Sequence, residues 1–195
     1  MFLESKYNTL KKLQYAVDNN LVDKEIMYFV DRINEEDDYY TTSSCIGRCG
    51  IMEFPKNVNT KIYSRWLGKW HHYATSEEMM EALRGASDNY DRLYFVLNSP
   101  IMHIACKDAV SAKKLLEIAY HNGLKASSVK SLSEKRYIVE FLTTMRLDAP
   151  IGYNGKLVVD NDYLNILLDE GNLKLMKARD MLHKVYLKFD EEFNL

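Results

Sequence analysis

The sequence predicts an α/β (α+β) fold, with β-strands in pairs, flanking helices around a mixed sheet and a long C-terminal helix. Strand-like segments follow one another instead of alternating singly with helices, and several other segments carry apolar residues at helical spacing. No glycine-rich dinucleotide motif follows a predicted strand. These observations argue against a Rossmann fold.

The composition limits the class of protein. The 195 residues are 47% hydrophobic and 28% charged with a net charge of −2, which predicts a single domain over 1–195 without a global basic field. Three cysteines without disulfide-like spacing indicate a reducing compartment. We see no signal peptide and no apolar run of membrane-spanning length, and we therefore expect a cytoplasmic protein without a membrane partner.

The first quarter of the chain begins with two helices. Apolar residues at helical spacing predict a helix over 3–19, and Asp23 fits the N-cap of a second helix that ends at Asn34. Aromatic and β-branched residues then predict a strand over 39–44. A polar loop at 45–50 and a strand at 51–54 follow, so that residues 39–54 resemble a hairpin.

The middle of the chain alternates strands and capped helices. Residues 62–73 form an aromatic strand candidate, and a capping box of Thr75 and Glu78 begins a helix that ends near Leu83. Two further strands are predicted at 93–97 and 101–106, the first of them fully apolar. Asp108 then caps a helix through Asn122, which Gly123 ends.

The last third contains strands and one long helix. Strands are predicted at 125–131, 136–145 and 156–159, with a loop at 148–155. Residues 161–193 keep helical spacing and predict one helix of about 50 Å, weakened locally by Gly171.

The segment from Tyr39 to Arg48 carries the most functional groups. Hydroxyls and a thiol at 41–45 precede Gly47 and Arg48. Buried hydroxyls need hydrogen-bond partners, and glycine allows a sharp turn or a close approach to a ligand. A strand leading into an anion-binding loop and a solvated turn explain this composition equally well.

Other reactive side chains give weaker signals. Cys45 and Cys49 could join a histidine at a metal ion, but their spacing is atypical of zinc sites and we expect no metal. Cys45 could act as a nucleophile only beside a base or a cation, and Arg48 is near in sequence. The absence of a Gly-x-Ser-x-Gly motif argues against a hydrolase.

Basic and aromatic residues interleave before the first histidines: Lys61, Tyr63, Arg65, Trp66, Lys69 and Trp70. This composition fits a surface that binds RNA phosphates and unstacked bases, and it fits an amphipathic strand with one solvated face equally well. His71 and His72 would lie on opposite faces of such a strand. His103, inside an apolar strand, is more typical of a hydrogen-bonded core histidine.

The order of these segments resembles the wybutosine-synthesizing tRNA methyltransferase family. The motif Tyr-Tyr-Thr-Thr-Ser-Ser-Cys-x-Gly-Arg at 39–48 resembles the family's signature. Later segments agree in order and cover nearly the whole chain: 66–71, 99–104, 123–129, 155–159 and the terminal helix. The sequence departs from the family at Ile46, often Ser, at Leu124, usually Phe, and at 141–145, which lacks the usual Arg-Ser-Thr.

The resemblance implies an S-adenosylmethionine-dependent N-methyltransferase with a non-Rossmann fold. Its substrate would be the wyosine-type tricyclic base beside the anticodon of tRNA-Phe, methylated at N4 of the aminocarboxypropyl intermediate. The alternative is a non-catalytic RNA-binding protein that uses the same basic and aromatic surface.

The resemblance also implies roles for particular residues. Arg48 suits a carboxylate, and His71 or His103 is the candidate base. The implied catalytic residues are His71, Ser44 and Arg48. The implied donor-binding residues are Ser43, Ser44, Cys45, Arg48 and His103. The implied substrate-binding residues are Tyr40, Trp66, Lys69, Trp70 and His71.

Overall fold

The structure is a computed structural model that describes residues 1–56 and 64–194. The chain divides into two units. Unit 1 consists of Met1–Ile46, Pro100–Thr144 and Ala178–Leu195, and unit 2 consists of Gly47–Ser99 and Met145–Lys177. The long C-terminal helix therefore contributes its first half to unit 2 and its second half to unit 1.

The helices and strands follow the predicted order closely. Along the chain they are α1 (Phe2–Asp18), α2 (Met27–Glu35), β1 (Tyr39–Cys45), β2 (Arg48–Pro55), β3 (Arg65–Trp70), α3 (Ser76–Arg84), β4 (Tyr90–Asn98), β5 (Ile101–Cys106), α4 (Ala109–His121), β6 (Ser128–Ser133), β7 (Arg136–Leu142), β8 (Leu147–Tyr153), β9 (Lys156–Leu157) and α5 (Asn161–Phe193). The predicted α/β class with a long C-terminal helix is confirmed. No helix of residues 1–56 and 64–194 is long and apolar enough to cross a membrane.

Unit 1 contains a sheet with the strand order β1-β5-β7-β6, in which all neighbours are antiparallel. One face packs against α2, α4 and the second half of α5, and it forms a core of apolar side chains, among them Phe29, Ile104, Leu115, Val139 and Phe189. Because side chains alternate between the faces of a strand, the residues between these core positions lie on the opposite face. We call this opposite side the polar face of unit 1.

Unit 2 contains a sheet with the strand order β3-β2-β4-β8-β9, again with antiparallel neighbours. Its core face packs against α3 and the first half of α5, with Ile51, Met79, Phe95 and Leu168 among the buried residues. A Cβ on Gly171 would lie 2.8 Å from Phe95 Cζ, so glycine allows α5 to approach the sheet. The helix runs through Gly171 without interruption.

Two sequence predictions about loops are wrong. The loop at 45–50 contains only Ile46 and Gly47, because β2 begins at Arg48, and β1 and β2 belong to different sheets and form no hairpin. The segment 148–155 is mostly strand β8. Pro150 is accepted there because the short β9 pairs only with Gly152 and Tyr153, which leaves the edge beside Pro150 without a ladder partner.

Helix caps were predicted well with one exception. Thr75 and Glu78 form the predicted capping box, and Asp108 Oδ1 accepts a hydrogen bond from the backbone N–H of Ser111. Asp23 occupies the N-cap position of a short 3-10 turn, Lys24–Ile26, that leads into α2, but its side chain makes no cap hydrogen bond there. Its carboxylate accepts a hydrogen bond from the backbone N–H of Ile46 at 2.9 Å and thereby holds the end of β1.

Candidate functional site

A line of polar side chains crosses the whole sheet of unit 1. Ser43 on β1 lies opposite His103 on β5, which lies opposite Glu140 on β7. Ser43 Oγ is 2.7 Å from His103 Nδ1, and His103 Nε2 is 2.8 Å from Glu140 Oε2. Lys130 on β6 completes the line with its Nζ 2.7 Å from Glu140 Oε1. We call these four residues the polar row.

Two β-bulges accompany the polar row. On β1, Thr41 pairs with Ile104 and Ser43 with His103, so that Thr42 is an extra residue. On β6, Val129 pairs with Val139 and Ser131 with Ile138, so that Lys130 is the extra residue. A bulge shifts the alternation of side chains and often re-aims a residue next to an active site. Without the first bulge, Ser43 would share the core face with Tyr39 and Thr41.

The charges of the polar row determine which of its atoms donate hydrogen bonds and which accept them. Burial would raise the pKa of Glu140, but hydrogen bonds from Lys130 and His103 outweigh burial and hold that pKa below its usual range. Glu140 is therefore a carboxylate, which can only accept. His103 Nε2 must then carry a proton and donate it to Glu140. In the neutral imidazole, Nδ1 accepts the hydroxyl hydrogen of Ser43.

Exposure changes along the polar row. The Glu140 side chain is 8% exposed, and that of His103 is 30% exposed. Ser43 is exposed on the edge strand β1. The row thus connects a buried carboxylate to a hydroxyl that a ligand can reach.

Tyr40 lies on the same face as the polar row but is fully buried. Its hydroxyl accepts a hydrogen bond from Arg136 Nη1 at 2.7 Å, and its ring centroid is 5.1 Å from that of Phe2. In this arrangement Tyr40 offers no surface to a substrate, and its predicted substrate contact stays a prediction. Its observed role is to anchor β1 to α1 and β7.

Two side chains hold the end of β1 through hydrogen bonds to the backbone of Ile46. Ser44 and Cys45 are half-buried, and Ile46 is buried. Arg179 Nε donates a hydrogen bond to the Ile46 carbonyl at 3.1 Å, in addition to the bond that Asp23 accepts from Ile46. Gly47 follows with a φ of +83°, a left-handed conformation that favours glycine.

The opposite side of the unit 2 sheet from its core carries aromatic and basic side chains. The guanidinium carbon of Arg48 lies 5.4 Å from the ring centroid of Trp66. A Cβ on Gly50 would lie 2.6 Å from Trp66 Cζ3, so the glycine makes room for the indole. We call Arg48, Trp66, Lys69 and their neighbours Phe54, Tyr94 and Arg92 the outer face of unit 2.

A third bulge separates the two tryptophans. Met52 pairs with Trp66 and Ile51 with Gly68, so that Leu67 is an extra residue on β3. As a result Trp66 and the exposed Lys69 share the outer face, whereas Trp70 turns into the core and is 8% exposed. The predicted stacking of a base on Trp70 stays a prediction, since this ring packs over Gly68.

The two histidines after β3 lie outside the strand. The strand ends at Trp70, so the predicted extension to Tyr73 is wrong, and the predicted start at residues 62 and 63, like Lys61, lies outside the described residues. His71 is half-buried in the bend. His72 Nε2 is 2.7 Å from Glu78 Oε1. The Thr75 backbone N–H and His72 together hold the pKa of Glu78 below its usual range.

The structure thus brings Ser43 and His103 together in unit 1, and Arg48 and Trp66 together in unit 2. It also adds Glu140 and Lys130, which the sequence analysis missed. A signal existed for Glu140, because it is the one charged residue in the run Tyr137–Leu142. Its partner could not be read from the sequence, since the register of β5 and β7 decides it.

Comparison with known proteins identifies the family. The family model described as Methyltransferase TYW3 matches residues 4–191. The chain belongs to the TYW3 methyltransferase family. This confirms the resemblance inferred from the motif at 39–48 and from the later segments.

Relatives of this TYW3 chain match it over nearly its full length. A protein of Methanocaldococcus jannaschii named tRNA(Phe) 7-((3-amino-3-carboxypropyl)-4-demethylwyosine(37)-N(4))-methyltransferase is 57% identical over 97% of both chains. A protein of Pyrococcus abyssi with the same name and the suffix 1 is 35% identical and covers 97% of this chain and 96% of its own.

Solved structures of similar proteins share the TYW3 chain's fold. The PH1069 protein from Pyrococcus horikoshii superimposes with a TM-score of 0.90 at 34% identity, over 96% of this chain and 95% of its own. A hypothetical protein from Aeropyrum pernix gives a TM-score of 0.75 at 28% identity, over 89% of this chain and 100% of its own. These matches agree with a non-Rossmann fold. As a member of a methyltransferase family, the chain requires a methyl donor.

Proposed function

We propose that this chain is an S-adenosylmethionine-dependent N-methyltransferase that acts on the wyosine-type base of tRNA-Phe. The target atom is N4 of the 7-(3-amino-3-carboxypropyl)-4-demethylwyosine at position 37. The observation that carries the proposal is the 57% identity, over 97% of both chains, to a relative named for this reaction.

The methyl donor is proposed to be S-adenosylmethionine, whose sulfonium supplies an electrophilic methyl group. The side chains present fit the polar groups of such a donor. The guanidinium of Arg48, stacked on Trp66, offers parallel N–H groups to a carboxylate. Donor-binding roles are also proposed, within unit 1, for Ser43, Ser44, Cys45 and His103.

The tRNA is proposed to contact the outer face of unit 2 through its anticodon stem-loop. Trp66 is half-buried and Lys69 is exposed, so an unstacked base and a phosphate can approach them. Trp70 would then support this binding from within unit 2, and His71 would contact the base, while the predicted substrate contact of Tyr40 in unit 1 remains a separate proposal. We treat residues 1–195 as one functional domain in this proposal.

Methyl transfer to a ring nitrogen is an in-line displacement, and it needs orientation more than covalent catalysis. We propose that Arg48 and Ser44 orient the reactants by binding their polar atoms. His71 remains a proposed catalytic residue that contacts the base. Cys45 serves as a wall of the site, because displacement at a sulfonium needs no enzyme-bound intermediate.

The first test is a methylation assay. The protein is incubated with S-adenosylmethionine and with tRNA-Phe that carries the 4-demethyl base, and nucleosides are analysed by mass spectrometry. The proposal expects one added methyl group at the tricyclic base, and none on tRNA-Phe that carries an unmodified guanosine at this position. Absence of product on the demethyl substrate, with both ligands shown to bind, would refute it.

Donor binding is tested by calorimetry on wild type and on Arg48→Ala. We expect saturable binding that Arg48→Ala weakens, while the control Arg84→Ala leaves it unchanged because Arg84 is exposed on α3 and pairs with Glu81. If Arg48→Ala does not alter donor binding, Arg48 would be assigned to contact the base instead of the donor.

A second candidate function is a non-catalytic RNA-binding protein. The outer face of unit 2 favours it, since aromatic and basic side chains alone suffice for RNA binding. This candidate predicts tRNA binding with a steep salt dependence and no binding of S-adenosylmethionine. The calorimetry therefore separates the two functions.

A further inference from the structure

The reaction needs a proton acceptor. An N4 atom that gains a methyl group and stays neutral must lose its hydrogen as a proton. Positioned side chains perform such transfers when they lie within hydrogen-bond reach of the proton. The polar row of unit 1 suits this role, because its hydrogen bonds hold the His103 imidazole between Glu140 and the Ser43 hydroxyl.

We propose that Ser43 and His103 form the proton acceptor of the methyl transfer, with Glu140 and Lys130 as positioning residues that hold the imidazole. The proposal rests on the proposed function and gives Ser43 and His103 a role beyond binding the donor. It also gives a role to two residues on β6 and β7 that no sequence motif indicated.

The direction of transfer follows from the contacts. Glu140 accepts the hydrogen of His103 Nε2 at 2.8 Å, which leaves Nδ1 with a lone pair directed at Ser43 Oγ, 2.7 Å away. The Ser43 hydroxyl therefore donates its hydrogen to His103, and no group of residues 1–56 and 64–194 is seen to donate to the Ser43 oxygen, which can accept a hydrogen from a ligand. Since Ser43 is exposed at the edge strand β1, a substrate N–H can reach this oxygen.

The step balances in atoms and electrons. The lone pair of the substrate nitrogen forms a bond to the methyl carbon while the carbon–sulfur bond breaks and its electron pair stays on sulfur. The N–H proton passes to Ser43 Oγ as the Ser43 hydroxyl proton passes to His103 Nδ1. The imidazolium formed is stabilised by the Glu140 carboxylate. His103 is 30% exposed at its side chain and returns the proton to water.

Lys130 explains why a buried carboxyl group stays ionised. A carboxyl group that is 8% exposed tends to take up a proton unless a cation lies close to it. Lys130 supplies the cation at 2.7 Å, from the bulged position of β6. A protonated Glu140 could donate to Nε2. The neutral ring would then carry its proton on Nδ1, and the nitrogen that faces Ser43 could no longer accept a hydrogen. A purely structural ion pair would need no aligned serine at the other end of the row.

The first experiment reads the tautomer of His103 without any ligand. Nitrogen-15 NMR of labelled histidine distinguishes the two neutral tautomers, and the spectrum of His103→Gln identifies the His103 signals among those of the five histidines. We expect the neutral ring of wild type to carry its proton on Nε2. Glu140→Gln should produce a mixture of the two neutral tautomers or the Nδ1–H tautomer alone, because the glutamine amide can donate to Nε2. Glu134→Gln, at the exposed turn between β6 and β7, should match wild type.

The second experiment measures single-turnover methyl transfer at saturating donor and tRNA. Ser43→Ala should lower the rate constant, and Glu140→Gln should lower it as well. Because both ligands are saturating, the lower rate constant is separate from any change in donor affinity, which Ser43→Ala is also expected to lower. Ser131→Ala, an exposed serine of β6, is the matched control and should retain the wild-type rate. If Ser43→Ala and Glu140→Gln change only ligand affinity and not the rate constant, the polar row binds a ligand and accepts no proton.

The two experiments separate the failure of this inference from failure of the proposed function. A wild-type protein that does not methylate the base would overturn the proposed function, and this inference with it. A wild-type protein that methylates the base, together with full rates for the polar-row variants, would overturn this inference alone. An Nδ1–H tautomer in wild type would also overturn it, whatever the activity.

Discussion

The polar row of the unit 1 sheet and the two tryptophans of the unit 2 sheet are held in different ways. In unit 1, Ser43, His103, Glu140 and Lys130 are joined by hydrogen bonds across four strands. In unit 2, Trp66 and Trp70 are held by packing over Gly50 and Gly68 on two adjacent strands. The first arrangement orients hydrogen-bonding atoms and keeps Glu140 ionised, whereas the second fixes the positions of rings.

This difference predicts different consequences of mutation. A substitution in the polar row changes the chemistry of a few atoms. It leaves the core of unit 1 unchanged, because that core lies on the other face of the sheet. A substitution at Gly50 or Gly68 pushes a tryptophan out of its place, and at Gly68 it also disturbs the core of unit 2. The following predictions sharpen this contrast, from the largest effect on stability to the smallest.

Gly68→Ala should destabilise the protein by about 1–3 kcal/mol, the usual cost of overpacking. The added Cβ would lie 2.2 Å from Trp70 Cζ2 and 2.9 Å from the Cβ of Ala82, both within the core of unit 2. Urea unfolding measures the effect. Gly85→Ala is the control, since its Cβ approaches only the Ala82 carbonyl oxygen at 3.3 Å. Equal stability of the two variants would show that the tryptophan packing adapts freely.

Tyr40→Phe should cost about 1 kcal/mol, the typical net value of a hydrogen bond. It removes the 2.7 Å bond from Arg136 Nη1 but keeps the ring against Phe2. Thermal or urea unfolding measures this, with the exposed Tyr120→Phe as control. A loss far above this value would mean that Arg136 depends on Tyr40 for much more than one bond.

Acid should weaken the contribution of Glu140. Its pKa in the folded protein is held below the usual range by hydrogen bonds from Lys130 and His103 that outweigh burial. The resulting stability is present above the pKa of an unfolded glutamate, about 4.3, and is lost as the pH falls through the lower folded value. The difference in unfolding free energy between wild type and Glu140→Gln should therefore shrink below about pH 4.3. A difference that grows with acid would contradict the ionised carboxylate.

Ser43→Ala should change stability by no more than about 0.5 kcal/mol, as is usual for an exposed position. Ser43 lies on an edge strand, and its hydroxyl bonds only the imidazole among the contacts described for it. Differential scanning calorimetry would check this value. A large loss would show that the polar row holds the sheet together, and it would weaken the contrast between the two units.

The sequence allowed most of the fold to be predicted because local signals determine it. The capping box of Thr75 and Glu78 and the apolar spacing of α5 both lie within short stretches of chain. Pro150 gave a misleading local signal, since β9 pairs with β8 only at Gly152 and Tyr153 and the edge of β8 beside Pro150 accepts a proline. The family motif at 39–48 was likewise local, and family membership is confirmed.

The face on which each site residue lies could not be predicted. Strict alternation would place Ser43 on the core face and both Trp66 and Trp70 on one side of β3. Bulges at Thr42 and Leu67 reverse these expectations. A bulge depends on the register with a strand that is distant in the chain, and a one-residue slip exchanges the two faces. The Glu140–His103 contact depends on register in the same way.

The rate of methyl transfer in His103→Gln tests the account most directly. Glutamine can keep a polar contact with Glu140 but cannot accept a proton as imidazole does. Under single-turnover conditions with saturating donor and demethyl tRNA-Phe, which remove any effect of altered ligand affinity, we predict a rate constant lower by about 10²–10⁴-fold than in wild type. A His103→Gln protein that methylates position 37 at the wild-type rate would contradict the role assigned to the polar row.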